Sequence, residues 1–172
     1  MAGSFGRVLA WTDGASGPRL ACSDQGPSNG RNPMPTQPRP TVLLVEDDDA
    51  VLDTFARMLR LEGYEVFTSA RPDEGLQQAE QRVPDVIILD FRMPLLDGLG
   101  FLRRLRELPD HRDTPVAIVT GDYFLEDEIT RELQALGATV LFKPLWLEQL
   151  VELARKLVSQ RTKQPQSAQT AS

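Results

Sequence analysis

Five side chains in this sequence point to chemistry by their type and by what precedes them. Glu46 and Asp47 directly follow the apolar run TVLLV (residues 41–45), Asp90 follows VIIL (86–89), Thr120 follows VAIV (116–119), and Lys143 follows TVLF (139–142). Carboxylates brought together repel one another and raise each other's pKa unless a cation sits among them. Hard oxygen ligands without His or Cys point to magnesium, which also binds substrate phosphate. Lys143 is one of two lysines in residues 41–160, beside 11 arginines, and a compact ammonium suits a phosphate oxygen as a point charge. Taken singly, Thr120 reads as a strand-end hydroxyl and Lys143 as a solvated lysine; their joint placement carries the weight. Asp48 and Asp49 read instead as caps of the helix that follows.

Positioning these groups is the task of alternating elements. TVLLV and VIIL are continuous apolar runs, as in strands buried on both faces of a parallel sheet; residues 64–68, 116–119 and 139–142 read as three more strands. Between and after them come helical patterns: Val51, Phe55, Met58 and Leu59; Leu76 and Ala79; Leu99, Leu102 and Leu105; Ile129, Leu133 and Leu136; Leu147, Leu150, Ala154 and Leu157. Each is spaced for one buried face. Gly63 and Gly137 stand where the first and fourth helices should stop, and Pro72, Pro84, Pro109 and Pro115 mark other boundaries. Five βα units with right-handed crossovers give a three-layer α/β domain. In such sheets the ligand lies beyond the carboxyl ends of the strands, where Glu46, Asp47, Asp90, Thr120 and Lys143 converge.

Composition narrows the possibilities further. The chain has 172 residues, one Cys, one His and a formal charge of -6, which fits one folded domain. Cys22 alone excludes an internal disulfide, and one Cys with one His cannot build a structural zinc site. Residues 1–40 carry four basic against two acidic groups, 41–160 carry 13 against 23, and 161–172 carry two against none, for nets of +2, -10 and +2. The acidic middle disfavours a phosphate-binding nucleic-acid surface. No apolar stretch is long enough to span a membrane, and the first ten residues lack a secretory apolar run, so a cytoplasmic protein is expected. Residues 1–40 hold six of the 13 prolines and six of the 12 glycines but few large apolar residues; they read as a disordered leader, residues 41–159 as the folded domain, and 160–172 as a polar tail.

At this point a resemblance becomes specific. The segments VLLVEDD, VIILDFRMPLLDG, AIVTG and LFKPL, in this order and at these separations, resemble the receiver domain of bacterial two-component response regulators over about residues 41–159. The resemblance implies a flavodoxin-like (βα)5 fold with strand order 2-1-3-4-5. It implies that Asp90 is the phosphoacceptor, and that Asp47, Asp90 and the backbone carbonyl of Arg92 ligate magnesium, with Glu46 acting mainly through a metal-bound water. Thr120 and Lys143 would contact the phosphoryl oxygens. Met93, Pro94, Asp97 and Gly98 would shape the loop into the next helix. The implied partners are a sensor histidine kinase and a downstream protein target or histidine phosphotransfer protein, with no direct nucleic-acid or membrane contact and a monomer or weak homodimer as the assembly. The chain reads as a stand-alone switch that phosphorylates and dephosphorylates its own Asp90, not as an enzyme with a separate substrate. A phosphorylation-independent interaction module is the alternative. A haloacid-dehalogenase-like phosphatase would need a second acid where Arg92 stands.

Two departures from the family pattern matter. Gly121 replaces the usual Ala after the threonine, which still admits phosphate and permits a more mobile loop. Val140 occupies the position where many receivers carry a Tyr or Phe that swings inward as Thr120 shifts, and a stiff β-branched side chain cannot sweep that volume. Remodelling of the loop from Gly121 to Glu126 is the expected substitute. Arg92 and Asp122, two positions past Asp90 and Thr120, are placed to form an ion pair beside the site. Of Tyr123, Phe124 and Leu125, at least one should pack into the core. His111 reads as a solvated loop residue.

Overall fold

A computed structural model describes residues 38–163; the leader, apart from its last three residues, and the tail beyond 163 lie outside them. The chain alternates strictly: β1 (Thr41–Val45), α1 (Asp49–Leu61), β2 (Glu65–Ser69), α2 (Pro72–Arg82), β3 (Val86–Asp90), α3 (Gly98–Glu107), β4 (Val116–Thr120), α4 (Asp127–Ala135), β5 (Ala138–Phe142) and α5 (Leu147–Lys163). All strands are parallel, in the order β2-β1-β3-β4-β5. This is the expected three-layer fold.

The pleat of each strand explains the layers. In β1, Val42 and Leu44 face a core built with Leu52, Ala56 and Leu59 of α1 and Leu150 and Ala154 of α5. Leu43 and Val45 face the opposite core, with Ala79 of α2, Phe101, Leu102 and Leu105 of α3, and Leu133 of α4. Every residue of β3 and β4 is buried, so the central strands have apolar partners on both faces. Burying a Leu or Phe side chain contributes about 1.5–3 kcal/mol, and these two layers supply the main stabilisation.

Local signals set the boundaries. Asp48 caps α1, its carboxylate accepting from the amides of Ala50 (2.9 Å) and Val51 (3.2 Å); Asp97 caps α3 through the Gly100 amide (2.8 Å). Strand β2 starts one residue later than the expected 64. The Tyr64 amide donates to the Leu59 carbonyl (3.1 Å) at the end of α1, which removes it from the ladder, and Gly63 makes the turn at φ +92. Helix α5 continues through Lys163, four residues past the expected end of the domain. Arg161 on that last turn reaches Asp85 (3.3 Å) and the Thr114 hydroxyl (3.1 Å), so tertiary contacts prolong a helix whose sequence there is wholly polar.

The expectation of a solvated His111 is corrected. A single 3-10 turn, Pro109–His111, carries the ring inward until it is 1% exposed. Its Nδ1 pairs with the Thr114 hydroxyl (3.0 Å) and its Nε2 with the Ala79 carbonyl (2.9 Å). Burial holds its pKa below the ordinary imidazole value, against the raising effect of the Ala79 hydrogen bond.

At the β2 edge of the sheet, Arg60 donates to the Val66 carbonyl (3.0 Å) and Gln78 to the Thr68 carbonyl (3.0 Å). Among the described residues no helix is long and apolar enough to cross a membrane.

Candidate functional site

The carboxyl ends of β1, β3, β4 and β5 gather the candidate residues. Asp90 and Thr120 are the last residues of the two central strands and both are buried. Glu46, directly after β1, is buried as well, while Asp47 is exposed. Parallel register brings β1 and β3 side by side, with Val45 opposite Leu89, so the acids that follow these two residues meet. Oxygens of Glu46, Asp47 and Asp90 all lie within 4.8 Å of one another. Lys143 follows β5, and its amide donates to the Thr120 carbonyl (2.7 Å). From there its Nζ reaches Glu46 Oε2 (2.8 Å) and Oε1 (3.2 Å) and Asp90 Oδ1 (3.0 Å). Arg92 lies two residues past Asp90, on the loop that leads to α3.

The electrostatics follow from partial burial. Desolvation pushes the carboxyl groups of Glu46 and Asp90 above their ordinary values. Hydrogen bonds from Lys143 pull both down, whereas Asp90 raises Glu46 and Asp47 raises Asp90. For Lys143 burial acts downward, but hydrogen bonds and charge from Glu46 and Asp90 together hold its pKa above the ordinary lysine value. One ammonium thus pairs with two of the three clustered carboxylates. A cluster of hard oxygen donors with surplus negative charge suits a divalent cation, and Glu46, Asp47 and Asp90 are the residues whose oxygens can hold it.

Comparison with known proteins gives the family. Residues 42–155 match the family described as the response regulator receiver domain. The chain belongs to this family. The transcriptional regulatory protein PrrA of Mycobacterium tuberculosis is 37% identical over 122 residues, which is 71% of this chain and 51% of PrrA. The DNA-binding dual master transcriptional regulator RpaA of Synechocystis is 30% identical over 129 residues, 75% of this chain and 53% of RpaA. The chain spans about half the length of the curated relatives it matches. Among solved structures, chemotaxis protein CheY4 of Vibrio cholerae is 32% identical with a TM-score of 0.64, covering 69% of this chain and 98% of CheY4. A CheY-like receiver domain protein of Methanospirillum hungatei is 28% identical with a TM-score of 0.67, covering 73% and 98%.

Around the receiver's acidic centre the loops are tied to one another. Thr120 Oγ accepts from the Asp122 amide (3.0 Å), and the Asp122 carboxylate accepts from Arg92 and from the Phe124 amide (2.9 Å). The Arg92 contact holds the Asp122 carboxyl below its ordinary value. Leu125 packs against the core beside α3 and α4, whereas Tyr123 and Phe124 are 61% and 92% exposed. Val140 lies half-buried against the same core. The aromatic contact that reading of the sequence missed is Tyr123 on Phe142. The rings stack 5.4 Å apart at 11°, and the Tyr123 hydroxyl donates to the Lys143 carbonyl. Nineteen positions separate the two rings, and only strand register, which sets Thr120 opposite Phe142, reveals their proximity.

Proposed function

We propose that this receiver is a magnesium-dependent phosphorylation switch. Asp90 takes a phosphoryl group from the phosphohistidine of a sensor kinase. The aspartyl phosphate then alters contacts with a downstream protein or passes its phosphoryl group to a histidine phosphotransfer protein. The observation that carries this reading is the setting of Asp90: buried at the end of a central strand, 3.0 Å from Lys143 Nζ, with Glu46 and Asp47 oxygens within 4.8 Å.

The chemistry asked of the chain is modest. A carboxylate oxygen of Asp90 attacks phosphorus in line; the new O–P bond forms as the P–N bond breaks, and the imidazole keeps the electron pair and takes a proton. Lys143 stabilises charge on the transferring group, and the Thr120 hydroxyl donates to a phosphoryl oxygen. When bound, magnesium supplies positive charge at the carboxylates and at the phosphoryl oxygens. Asp47, Asp90 and the Arg92 backbone carbonyl would hold it, with Glu46 at one remove. Because the phosphoryl group ends on the chain's own Asp90, the receiver acts as a self-phosphorylating and self-dephosphorylating switch and not as an enzyme turning over a separate substrate.

The strongly acidic receiver supports protein partners over direct nucleic-acid contact; a cytoplasmic location and a monomer or weak homodimer are part of the same proposal. The transcriptional roles in the names of PrrA and RpaA belong to those longer proteins. Intact mass after incubation with acetyl phosphate, with and without magnesium, tests the reading on wild type and Asp90→Ala. A magnesium-dependent gain of one phosphoryl group, absent in the variant, is the expected result. Absence of any gain, under conditions that phosphorylate a control receiver, refutes it. That outcome would favour the phosphorylation-independent interaction module, the reading that Val140 supports.

A further inference from the structure

The two residues assigned to the phosphoryl oxygens are held by one short segment of chain. Asp122 donates its amide to the Thr120 hydroxyl oxygen (3.0 Å), and the next residue, Tyr123, donates its own hydroxyl to the Lys143 carbonyl while its ring lies on Phe142. Lys143 closes the circuit, through its amide to the Thr120 carbonyl (2.7 Å) and through Nζ to Asp90 (3.0 Å). Arg92, on the loop after Asp90, anchors the Asp122 carboxylate. A displacement of the Thr120 hydroxyl therefore pulls on Asp122, and through the adjoining Tyr123 on the main chain that carries Lys143. Val140, opposite Ile118 in the ladder and half-buried against aliphatic side chains, has no polar group with which to make such a link.

We propose that Tyr123 is the positioning residue of this site. Its hydroxyl and ring strap the β5 end to the loop after β4, so that Thr120 and Lys143 are held together while Asp90 is unphosphorylated, and the strap releases when the Thr120 hydroxyl turns toward a phosphoryl group on Asp90. Tyr123 thereby couples Thr120 to the end of β5, a link that Val140 cannot make. The proposal rests on the phosphorylation reading above. Released, Tyr123 leaves the Lys143 carbonyl and uncovers Phe142. The surface that Tyr123 and Phe142 present, both exposed, then differs between the two states.

The test uses the full chain labelled with 3-fluorotyrosine. The sequence contains two tyrosines: Tyr64 is buried, away from the site, and serves as the internal reference, while Tyr123→Phe assigns the second fluorine resonance. With magnesium and acetyl phosphate, the Tyr123 resonance is expected to move in proportion to the phosphorylated fraction measured by intact mass on the same sample, with Tyr64 unmoved. Without any phosphodonor, Thr120→Ala should shift the Tyr123 resonance toward its phosphorylated position, whereas Thr120→Ser should leave it in place. Tyr123→Phe, which keeps the ring and loses the hydroxyl that holds the unphosphorylated arrangement, should speed phosphoryl uptake about threefold or more. Full phosphoryl gain with a stationary Tyr123 resonance overturns the strap and leaves the phosphorylation reading standing. An unmoved resonance in Thr120→Ala overturns it as well. No phosphoryl gain in wild type overturns the underlying reading and the strap together.

Discussion

Replacing Lys143 by Met leaves two buried carboxylates facing each other without their shared cation, and the cost can be worked from the site. The ammonium is within 3.2 Å of Glu46 and Asp90, whose side chains are 9% and 5% exposed. Removing one partner from a buried ion pair typically costs about 3–5 kcal/mol. The Lys143 side chain is itself 30% exposed, so water reaches the site, and a loss of about 2–3 kcal/mol is the reasonable expectation. Unfolding entropy of about 2.1 cal/mol/K per residue over residues 38–163 converts 2 kcal/mol into about 8 °C. The loss should depend on pH with a defined sign. Burial already raises the Glu46 and Asp90 pKa values in the folded protein, and deleting Lys143 raises them further. The folded variant therefore binds protons more readily than its unfolded chain, and stability is gained as pH falls through the raised values toward the ordinary carboxylate range. Urea unfolding followed by circular dichroism, in chelator-treated buffer, at about pH 7.5 and about pH 5, checks both points. The variant's deficit should be full at the higher pH and shrink at the lower one. An unchanged midpoint at about pH 7.5, or a deficit that widens on acidification, would refute the claim that Lys143 neutralises this pair.

Magnesium at millimolar concentration should raise the melting temperature of wild type by binding the folded state and relieving carboxylate repulsion; Asp47→Asn, measured by the same thermal scan, should lose that gain. His111 is buried with its pKa lowered in the folded state, so its contribution is present in full above the unfolded imidazole pKa and is lost as pH falls from there through the folded value. The stability of wild type relative to His111→Gln should decline over that window, and a constant difference would count against a neutral buried ring. Arg92→Ala removes the ion pair with Asp122, whose Arg92 side chain is 68% exposed; such pairs are worth about 0–1 kcal/mol, so stability should barely change. Loss of phosphoryl group from Asp90, followed by intact mass, should accelerate, and an unchanged rate would show that the pair does not guard the site.

The main architecture was legible because period and position agreed. Continuous apolar runs marked β1 and β3, helical spacing marked α1 and α3, and the acids at the strand ends fell where the fold brings strand ends together. What escaped the sequence is nonlocal. His111 sits in the run PDHRDTP, which has no large apolar residue, and its burial depends on a carbonyl 32 positions away. Tyr64 lies in an apolar stretch that propensity reads as strand, yet its amide is consumed by the end of α1. Leu125 stood out within Tyr123–Leu125 only once the loop's path decided which side chain turned inward. The stack of Tyr123 on Phe142 required the register of two strands and the reach of one loop.

The side chains of Arg60 and Gln78 along β2 bear on how this molecule behaves when crowded. An edge strand with free main-chain acceptors invites a strand from another molecule. Here the Val66 and Thr68 carbonyls already accept from Arg60 and Gln78, so an incoming strand would have to displace a guanidinium and an amide before forming its first rungs. Growth of the sheet from molecule to molecule is thus obstructed at this edge. Loss of both side chains should appear as slow aggregation in concentrated solution with little change in the melting temperature of the dilute protein.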